Sequence, residues 1–155
     1  MAQQEHLYLL KRGVVYWNQW RQEHPEIVLD LSKAVLNGLD LTNINLSKTN
    51  LTMADLSASN LRMANLRMAN LTMANLSATD MRMATLHGAN LHAANLREAD
   101  LREADLREAD LSVANLKVAD LSSADLRGAI LDGTIFDMTI LDKTKRRGGL
   151  WKLFS

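Results

Sequence analysis

A large apolar side chain, nearly always leucine, returns at every fifth residue between residues 29 and 143. We call this position the centre of each repeat, and it runs from Leu31, Leu36 and Leu41 to Leu131, Phe136 and Leu141. The residue two places before the centre is small and usually alanine. The remaining three positions of each repeat are mostly polar, so the hydrophobic pattern has a period of five.

This period fits neither an α-helix nor a continuous strand. On a helix each step of five residues turns the side chain by about 140°, so the leucines would share no face. On a strand an odd period would place alternate leucines on opposite faces. The chain must therefore turn a corner in every repeat, and we expect a solenoid whose successive coils pair like strands.

The outward positions indicate how many repeats make one coil. Residues 51–65 and 71–85 carry the same residue at all six positions that follow a centre by one or two places. Displacements of 5, 10 and 15 residues give only two, two and one matches. This super-period of 20 predicts four sides per coil, and 23 repeats over residues 29–143 then make nearly six coils. The column would be about 28 Å tall.

Two long runs of the chain resemble a known family. ADLSASNLRMANLRMANLTMANLSA and LREADLREADLREADLSVANLKVADLSSADLRGA are similar to the pentapeptide-repeat family, whose motif is roughly Ala, Asp or Asn, Leu, a polar residue and a variable one. The resemblance implies an all-β solenoid, the right-handed quadrilateral parallel β-helix, and the handedness rests on it alone. The opening LLKRGVVYWNQWRQEHPEIVLDLSKAVL is similar to that of many cyanobacterial members and implies a cyanobacterial source.

The segment before the repeats has a helical pattern. Its apolar residues recur at helical spacing: Leu7, Leu10, Val14 and Trp17. We expect a helical segment over residues 3–23, bent at Gly13 and ended by Pro25. Because a solenoid exposes unpaired backbone at its ends, residues 1–28 are interpreted as an N-terminal α-helical cap, with a partner-binding helix as the alternative.

The C-terminal end departs from the repeat pattern. Three isoleucines occupy the outward position that carries Asp or Asn in most earlier repeats: Ile130, Ile135 and Ile140. The repeat stops after residue 143, and residues 144–155 form a basic and aromatic tail. The isoleucines are predicted to be covered either by the tail folding back as a cap or by a second copy in a homodimer. The tail residues concerned are Leu150, Trp151, Leu153 and Phe154.

Charged residues form regular outward columns. At 20 residues per coil, one face stacks Arg62, Arg82 and Arg102 beside Asp80, Asp100 and Asp120, and the next stacks Arg67, His87, Arg107 and Arg127 beside Asp105 and Asp125. Interleaved opposite charges attract, so we interpret these columns as a mixed-sign lattice, with a recognition surface for a charged partner as the alternative. The run LREADLREADLREAD is predicted to form a charged girdle around one coil that keeps the protein soluble.

Five methionines occupy the position two residues after a centre: Met53, Met63, Met68, Met73 and Met83. This position is outward or at a corner, and soft side chains on a surface suit an adaptable protein contact. The methionines are therefore the candidate partner surface. The alternative is that they only stack on one another between coils.

Composition excludes several classes of protein. The chain has no cysteine, which excludes disulfides and thiolate chemistry. It has neither an apolar stretch near 18 residues nor a signal-peptide pattern, so we expect a cytoplasmic protein without membrane contact. His87 and His92 make a poor metal site without further ligands, and a filled column offers no substrate pocket. We predict no enzyme, no catalytic or metal-binding residue and no cofactor.

Two binding functions remain. Some members of the family imitate DNA by a strongly negative surface and so engage type II topoisomerases such as gyrase. This chain has 18 acidic and 18 basic residues, and residues 51–125 carry ten acids against seven bases. That charge is far below the phosphate density of a duplex, about one per 1.7 Å. The favoured hypothesis is a non-enzymatic structural or protein-interaction scaffold with an unknown protein partner and no direct nucleic-acid binding, regulatory in a cyanobacterium as its resemblance implies.

Overall fold

The computed structural model describes residues 4–146, which form two short α-helices followed by a four-sided parallel β-helix. Helix α1 spans Gln4–Lys11 and helix α2 spans Val14–Glu23. Each side of a coil contributes one bridging residue, which pairs in parallel with the residue 20 places later, as Asp55 does with Asn75. This separation confirms four repeats per coil and the predicted fold class. Within residues 4–146 no side is long enough to form an extended strand.

Every amide of a typical repeat has a hydrogen-bond partner. In the repeat around Leu71, the amides of Leu71, Met73 and Asn75 donate to carbonyl groups of the neighbouring coils at 2.7–2.9 Å. The Ala74 amide closes a turn on the Leu71 carbonyl at 2.9 Å. The fifth amide, of Thr72, donates to the side-chain Oδ1 of Asn70 at 3.1 Å. Asp or Asn before the centre thus supplies the acceptor for the one amide of the repeat that the backbone does not satisfy.

The corners adopt the left-handed backbone conformation. The residue two places after the centre has a φ near +57° in Met53, Met63 and Met73, and the same holds for alanine, glutamate and valine in other coils. This conformation costs roughly 1–2 kcal/mol per non-glycine residue. The inter-coil hydrogen bond of the corner amide, such as that of Met63 to the Arg82 carbonyl at 3.0 Å, offsets this cost.

The interior is a narrow shaft of stacked side chains. Leucines at the centre and alanines two places before it are almost entirely buried from residue 46 to residue 121, and Met81 occupies a centre without exposure. Where serine or threonine replaces the alanine, the hydroxyl donates to a carbonyl, as Ser59 does to Leu56 at 2.6 Å. In the last coil Leu131, Phe136 and Leu141 are only partly buried, so the shaft is less well buried there than in the middle of the column.

Helix α2 covers one side of the first coil. Trp17 is fully buried, and its Nε1 donates to the Asn45 carbonyl at 2.7 Å. The Asn18 Oδ1 accepts the Asn45 amide at 2.8 Å, and its Nδ2 donates to the Asn43 carbonyl at 3.0 Å. In a complete stack the amide and carbonyl of Asn45 would pair with a preceding coil. Here Asn18 Oδ1 accepts from the amide instead, and Trp17 Nε1 donates to the carbonyl. Tyr16 and Trp20 also pack partly buried against the core.

The two helices meet at the predicted bend. Gly13 separates them with a φ of +95°, so the single segment expected over residues 3–23 is two helices. Within residues 4–146 neither helix has the length and apolarity needed to cross a membrane. The division of the chain at residues 28 and 143 stays a prediction, and the tail residues Leu150, Trp151, Leu153 and Phe154 lie outside the described residues.

Candidate interaction surfaces

The charged columns form two ladders of alternating Asp and Arg. On one face, Arg82 donates two hydrogen bonds to Asp80 of its own repeat, from Nε to Oδ1 at 2.9 Å and from Nη2 to Oδ2 at 2.5 Å. Its Nε also lies 3.5 Å from Oδ2 of Asp100 in the next coil, where Arg102 repeats the arrangement and approaches Asp120 at 3.9 Å. The next face carries the equivalent ladder: Asp105, Arg107, Asp125 and Arg127. The structure therefore shows the mixed-sign arrangement expected from the sequence.

Hydrogen bonds between Asp and Arg side chains favour the charged form of both partners in the ladders. The bonds from Arg82 lower the pKa of Asp80, and those from Arg107 lower the pKa of Asp105, although partial burial opposes both shifts. The bonds to Asp100 in turn raise the pKa of Arg102. Both partners are charged at neutral pH, and each arginine is neutralised by its own aspartate. The ladders thus stabilise the stacking of coils, but only modestly because their side chains are exposed. They also leave little net charge to attract a charged partner.

The predicted girdle covers three consecutive sides of one coil. Its glutamates Glu98, Glu103 and Glu108 stand at successive corners with φ near +59°, and the Arg97 guanidinium lies 3.9 Å from Glu98. The glutamates are well exposed, with 60% of the Glu98 side chain and 70% of the Glu108 side chain accessible. This arrangement suits the predicted role in solubility.

The methionines are exposed at corners but do not form one continuous patch. Their exposed fractions range from 48% to 60%. Because bridges join residues 20 apart, Met53 stacks over Met73 at one corner and Met63 over Met83 at the diagonally opposite one. Met68 stands at a corner between them, beside Gly88. The structure thus makes two methionine pairs and one isolated methionine, and their use in binding stays a prediction.

The C-terminal end of the column has an apolar rim. Ile130, Ile135 and Ile140 lie on three consecutive sides of the last coil and are 49%, 48% and 51% exposed. Within residues 4–146 the amides of Leu141 and Lys143 donate to no carbonyl. Among the described residues this end therefore combines exposed apolar side chains with backbone amides that have no carbonyl partner, and what covers it stays a prediction.

The two histidines singled out in the sequence have separate partners. His87 lies 3.7 Å from Glu108 through Nε2, whereas His92 Nδ1 contacts Ser112 Oγ at 2.8 Å. In the described part of the chain no three His, Cys, Asp or Glu residues are grouped to hold a metal ion. A shallow hollow of about 410 Å³ beside His87 is lined by Arg107 and Arg127 of the second ladder and by Glu108 of the girdle.

Sequence reasoning missed an apolar groove between the helices and the first coil. The groove has a volume of about 380 Å³ and is lined by Leu7, Leu10, Val14, Val35 and Leu39, among others. The expectation of a pocket-free column overlooked it because the groove arises from how the helices dock. The available clue was that Val35 and Leu39 depart from the repeat pattern, which has Asp or Asn and a small residue at those positions.

Stacked four-sided coils with leucine and alanine inside and Asp or Asn satisfying the turns define a β-helix of five-residue repeats. The chain belongs to the pentapeptide repeats family, whose profile matches eight copies over residues 30–62, 59–97, 84–122 and 99–137. Its fold is the right-handed quadrilateral β-helix of that family.

Solved structures of cyanobacterial pentapeptide repeat proteins resemble this chain. One is HetL of Nostoc sp. strain PCC 7120, a protein involved in heterocyst differentiation regulation, with 33% identity and a TM-score of 0.54. The match covers 76% of this chain and 60% of HetL, so this chain spans less than two thirds of that protein. Another is Rfr23 of Cyanothece 51142, with 29% identity, a TM-score of 0.47 and coverage of 84% and 93%.

A more distant match is QnrB1, a plasmid-mediated fluoroquinolone resistance protein. It is 16% identical with a TM-score of 0.39, over 78% of this chain and 80% of QnrB1. At this level the likeness carries no argument about function. No curated protein matches the chain.

Proposed function

We propose that this protein is a non-enzymatic interaction scaffold that binds a protein partner in the cytoplasm and acts in regulation in a cyanobacterium. The observation that carries the proposal is a stack of coils joined by backbone hydrogen bonds that holds apolar methionines exposed at its corners. The involvement of HetL in heterocyst differentiation regulation supports the regulatory part. The proposal includes no cofactor, no direct nucleic-acid binding and no membrane contact.

The methionine corners are the proposed partner surface. Their unbranched side chains are flexible and polarisable, so they adapt to an apolar partner surface. The left-handed backbone at each corner sets the direction in which the methionine side chain projects. Met53 lies over Met73, so one corner carries two apolar side chains. A partner would engage one such pair, because the two pairs lie at opposite corners.

Replacing all five methionines with alanine should abolish partner capture without unfolding the protein. Alanine already occupies the same position of the repeat, with the same left-handed backbone, at Ala58, Ala78 and Ala93, so the backbone accepts it. The measurement is affinity capture from an extract of the source cells, with thermal unfolding of each variant in parallel. We expect the captured partner to fall about tenfold or more, which is a loss of about 1.4 kcal/mol in binding.

The matched control changes corner residues of later coils that lie outside the candidate set, by replacing Val113, Val118 and Met138 with alanine. This variant should capture the partner as the wild type does. Equal losses in both variants, or an unchanged yield in the methionine variant, would show that the five methionines are not the contact.

We further propose that the C-terminal end forms a homodimer contact. Replacing Ile130, Ile135 and Ile140 with asparagine gives them the Asp or Asn type found one coil earlier at Asp110, Asn115 and Asp120, so the fold should be retained. Sedimentation velocity should show a concentration-dependent dimer for the wild type and a monomer for the triple variant, because the apolar rim is lost. A monomeric wild type, or a variant that still dimerises, would contradict this contact.

The gyrase-modulator alternative is not proposed. The chain carries no net charge at neutral pH, with histidines neutral. The ladders also pair their aspartates with arginines on two faces. A duplex presents unpaired phosphates at far higher density, so this surface is a poor imitation of DNA.

A further inference from the structure

The helices cover only two of the four sides at the N-terminal edge of the first coil. On the first side the Asp30 amide donates to His6 Nδ1 at 3.0 Å, and on the fourth side Trp17 and Asn18 bind the backbone of Asn45. On the second and third sides, at Val35 and Asp40, neither amide donates and neither carbonyl accepts within residues 4–146. Within residues 4–146, half of this edge therefore has no backbone partner and can pair with another strand.

The open sides also expose apolar side chains that are covered elsewhere. Leu29 and Ile44 stand two residues before a centre on the covered sides and are 1% and 0% exposed, whereas Leu39 at the same position is 42% exposed. Val35 is 76% exposed at a position that carries Asp or Asn on the other three sides of this coil. These two residues line the apolar groove together with Val14 and its neighbours. We call this surface the edge groove.

The charges of the edge groove indicate what it accepts. Lys11 lines the groove and forms no ion pair within residues 4–146. Asp40 also lines it, but its carboxylate already accepts the amide and hydroxyl of Thr42 at 3.1 Å and 2.6 Å. Because Lys11 has no ion pair among residues 4–146, an acidic group on the occupant would complement its charge. The tail of this chain carries Arg147 and Lys152 and complements the groove poorly.

We propose that the edge groove binds an extended segment of a partner protein that has alternating apolar residues and at least one Asp or Glu. The segment adds to the third side as a short strand, and its main chain pairs with the amide and carbonyl of Asp40, since the chain turns a corner between Val35 and Asp40. Alternate side chains pack on Leu39 and Val14, and the carboxylate meets Lys11. Main-chain pairing of this kind supplies affinity, and side-chain pockets supply specificity. The surface is separate from the methionine corners and the C-terminal rim and does not depend on their roles.

The test uses the full-length chain as bait for a displayed library of random nine-residue peptides. We expect enrichment of peptides with alternating apolar residues and an acidic residue. The best peptide, labelled with fluorescein, is then titrated by fluorescence anisotropy. An analogue with N-methylated backbone amides should bind about tenfold more weakly, because it loses main-chain donors.

The variant Val35→Asp with Leu39→Ala should weaken the selected peptide by about tenfold or more. Both changes restore residue types that the repeat carries at these positions, so urea unfolding should stay close to that of the wild type. Val15→Asp is the matched control, since Val15 is 84% exposed on helix α2 and lies away from the groove. In Lys11→Glu the preference should pass to a peptide with lysine in place of the acidic residue.

Several results would overturn the proposal. The library could yield no enrichment, the groove variant could bind as tightly as the wild type, or the N-methylated analogue could bind unchanged. Tighter binding of a peptide of residues 147–155 than of the acidic peptide would instead assign the groove to the tail of a second copy.

Discussion

Replacing Trp17 with alanine is expected to lower the free energy of unfolding by about 3–5 kcal/mol. Trp17 is fully buried in the same cluster as Leu29 and Ile44, where the helices meet the first coil. The substitution opens a cavity there and removes the donor to the Asn45 carbonyl, 2.7 Å from Nε1. Urea unfolding followed by far-ultraviolet circular dichroism measures the loss.

Two further variants separate packing from hydrogen bonding. Trp17→Phe retains much of the buried ring but not the donor, so it should cost about 1–3 kcal/mol. Trp20→Ala should cost less than Trp17→Ala because Trp20 is only partly buried. Hydrogen exchange should show that Trp17→Ala deprotects the amides of the first coil before those of the fourth, since contacts in a solenoid are local. Uniform deprotection, or a loss below about 1 kcal/mol, would mean that helix α2 does not hold the first coil.

The architecture of the column could be predicted because its inward positions repeat the same few apolar residue types. Leucine every five residues excludes a helix and a continuous strand, and the recurrence of outward residues after 20 positions sets the number of sides. The observed pairing of Asn50 with Asn70 and of Asp80 with Asp100 follows from that number. The charged ladders could be anticipated for the same reason, since stacking at 20 residues brings Arg82 near Asp100.

The corners could not be predicted from residue type. A left-handed backbone is usually associated with glycine or asparagine, but here it is adopted by Met53, Ala58, Glu98 and Val113 as well. The hydrogen bonds between coils, and not the residue at the corner, impose it. The sequence also shows Asp or Asn before most centres without showing that Oδ1 accepts the amide two residues on, as Asn60 accepts the Arg62 amide at 3.1 Å.

The candidate surfaces were predictable to different degrees. Exposure of the methionines follows from their place after the centre, and counting four repeats to a coil separates Met53 from Met63 by two corners. The edge groove depends on which sides the helices cover, and that is set by tertiary contacts such as those of His6 and Asn18. The repeat pattern contains no information on these contacts, because they lie outside it.

Replacing Leu91 with alanine is expected to lower the free energy of unfolding by about 2–5 kcal/mol. Leu91 is fully buried near the middle of the column, and its position in the stack lies between Leu71 and Leu111. A cavity there removes contacts on both sides, and the hydrogen-bonded coils limit how far the backbone can close it. Urea unfolding of the full chain gives the magnitude.

The position of the leucine along the column provides the control for this prediction. Leu131→Ala makes the same chemical change in the last coil, where the side chain is only partly buried, so its cost should be clearly smaller. Leu91→Met should cost less than about 1.5 kcal/mol, because volume-conserving changes are tolerated and Met81 already fills a centre with no exposure. If Leu91→Ala cost no more than Leu131→Ala, stability would depend on hydrogen bonding between coils rather than on the packed shaft, since both variants keep the same backbone pairing groups.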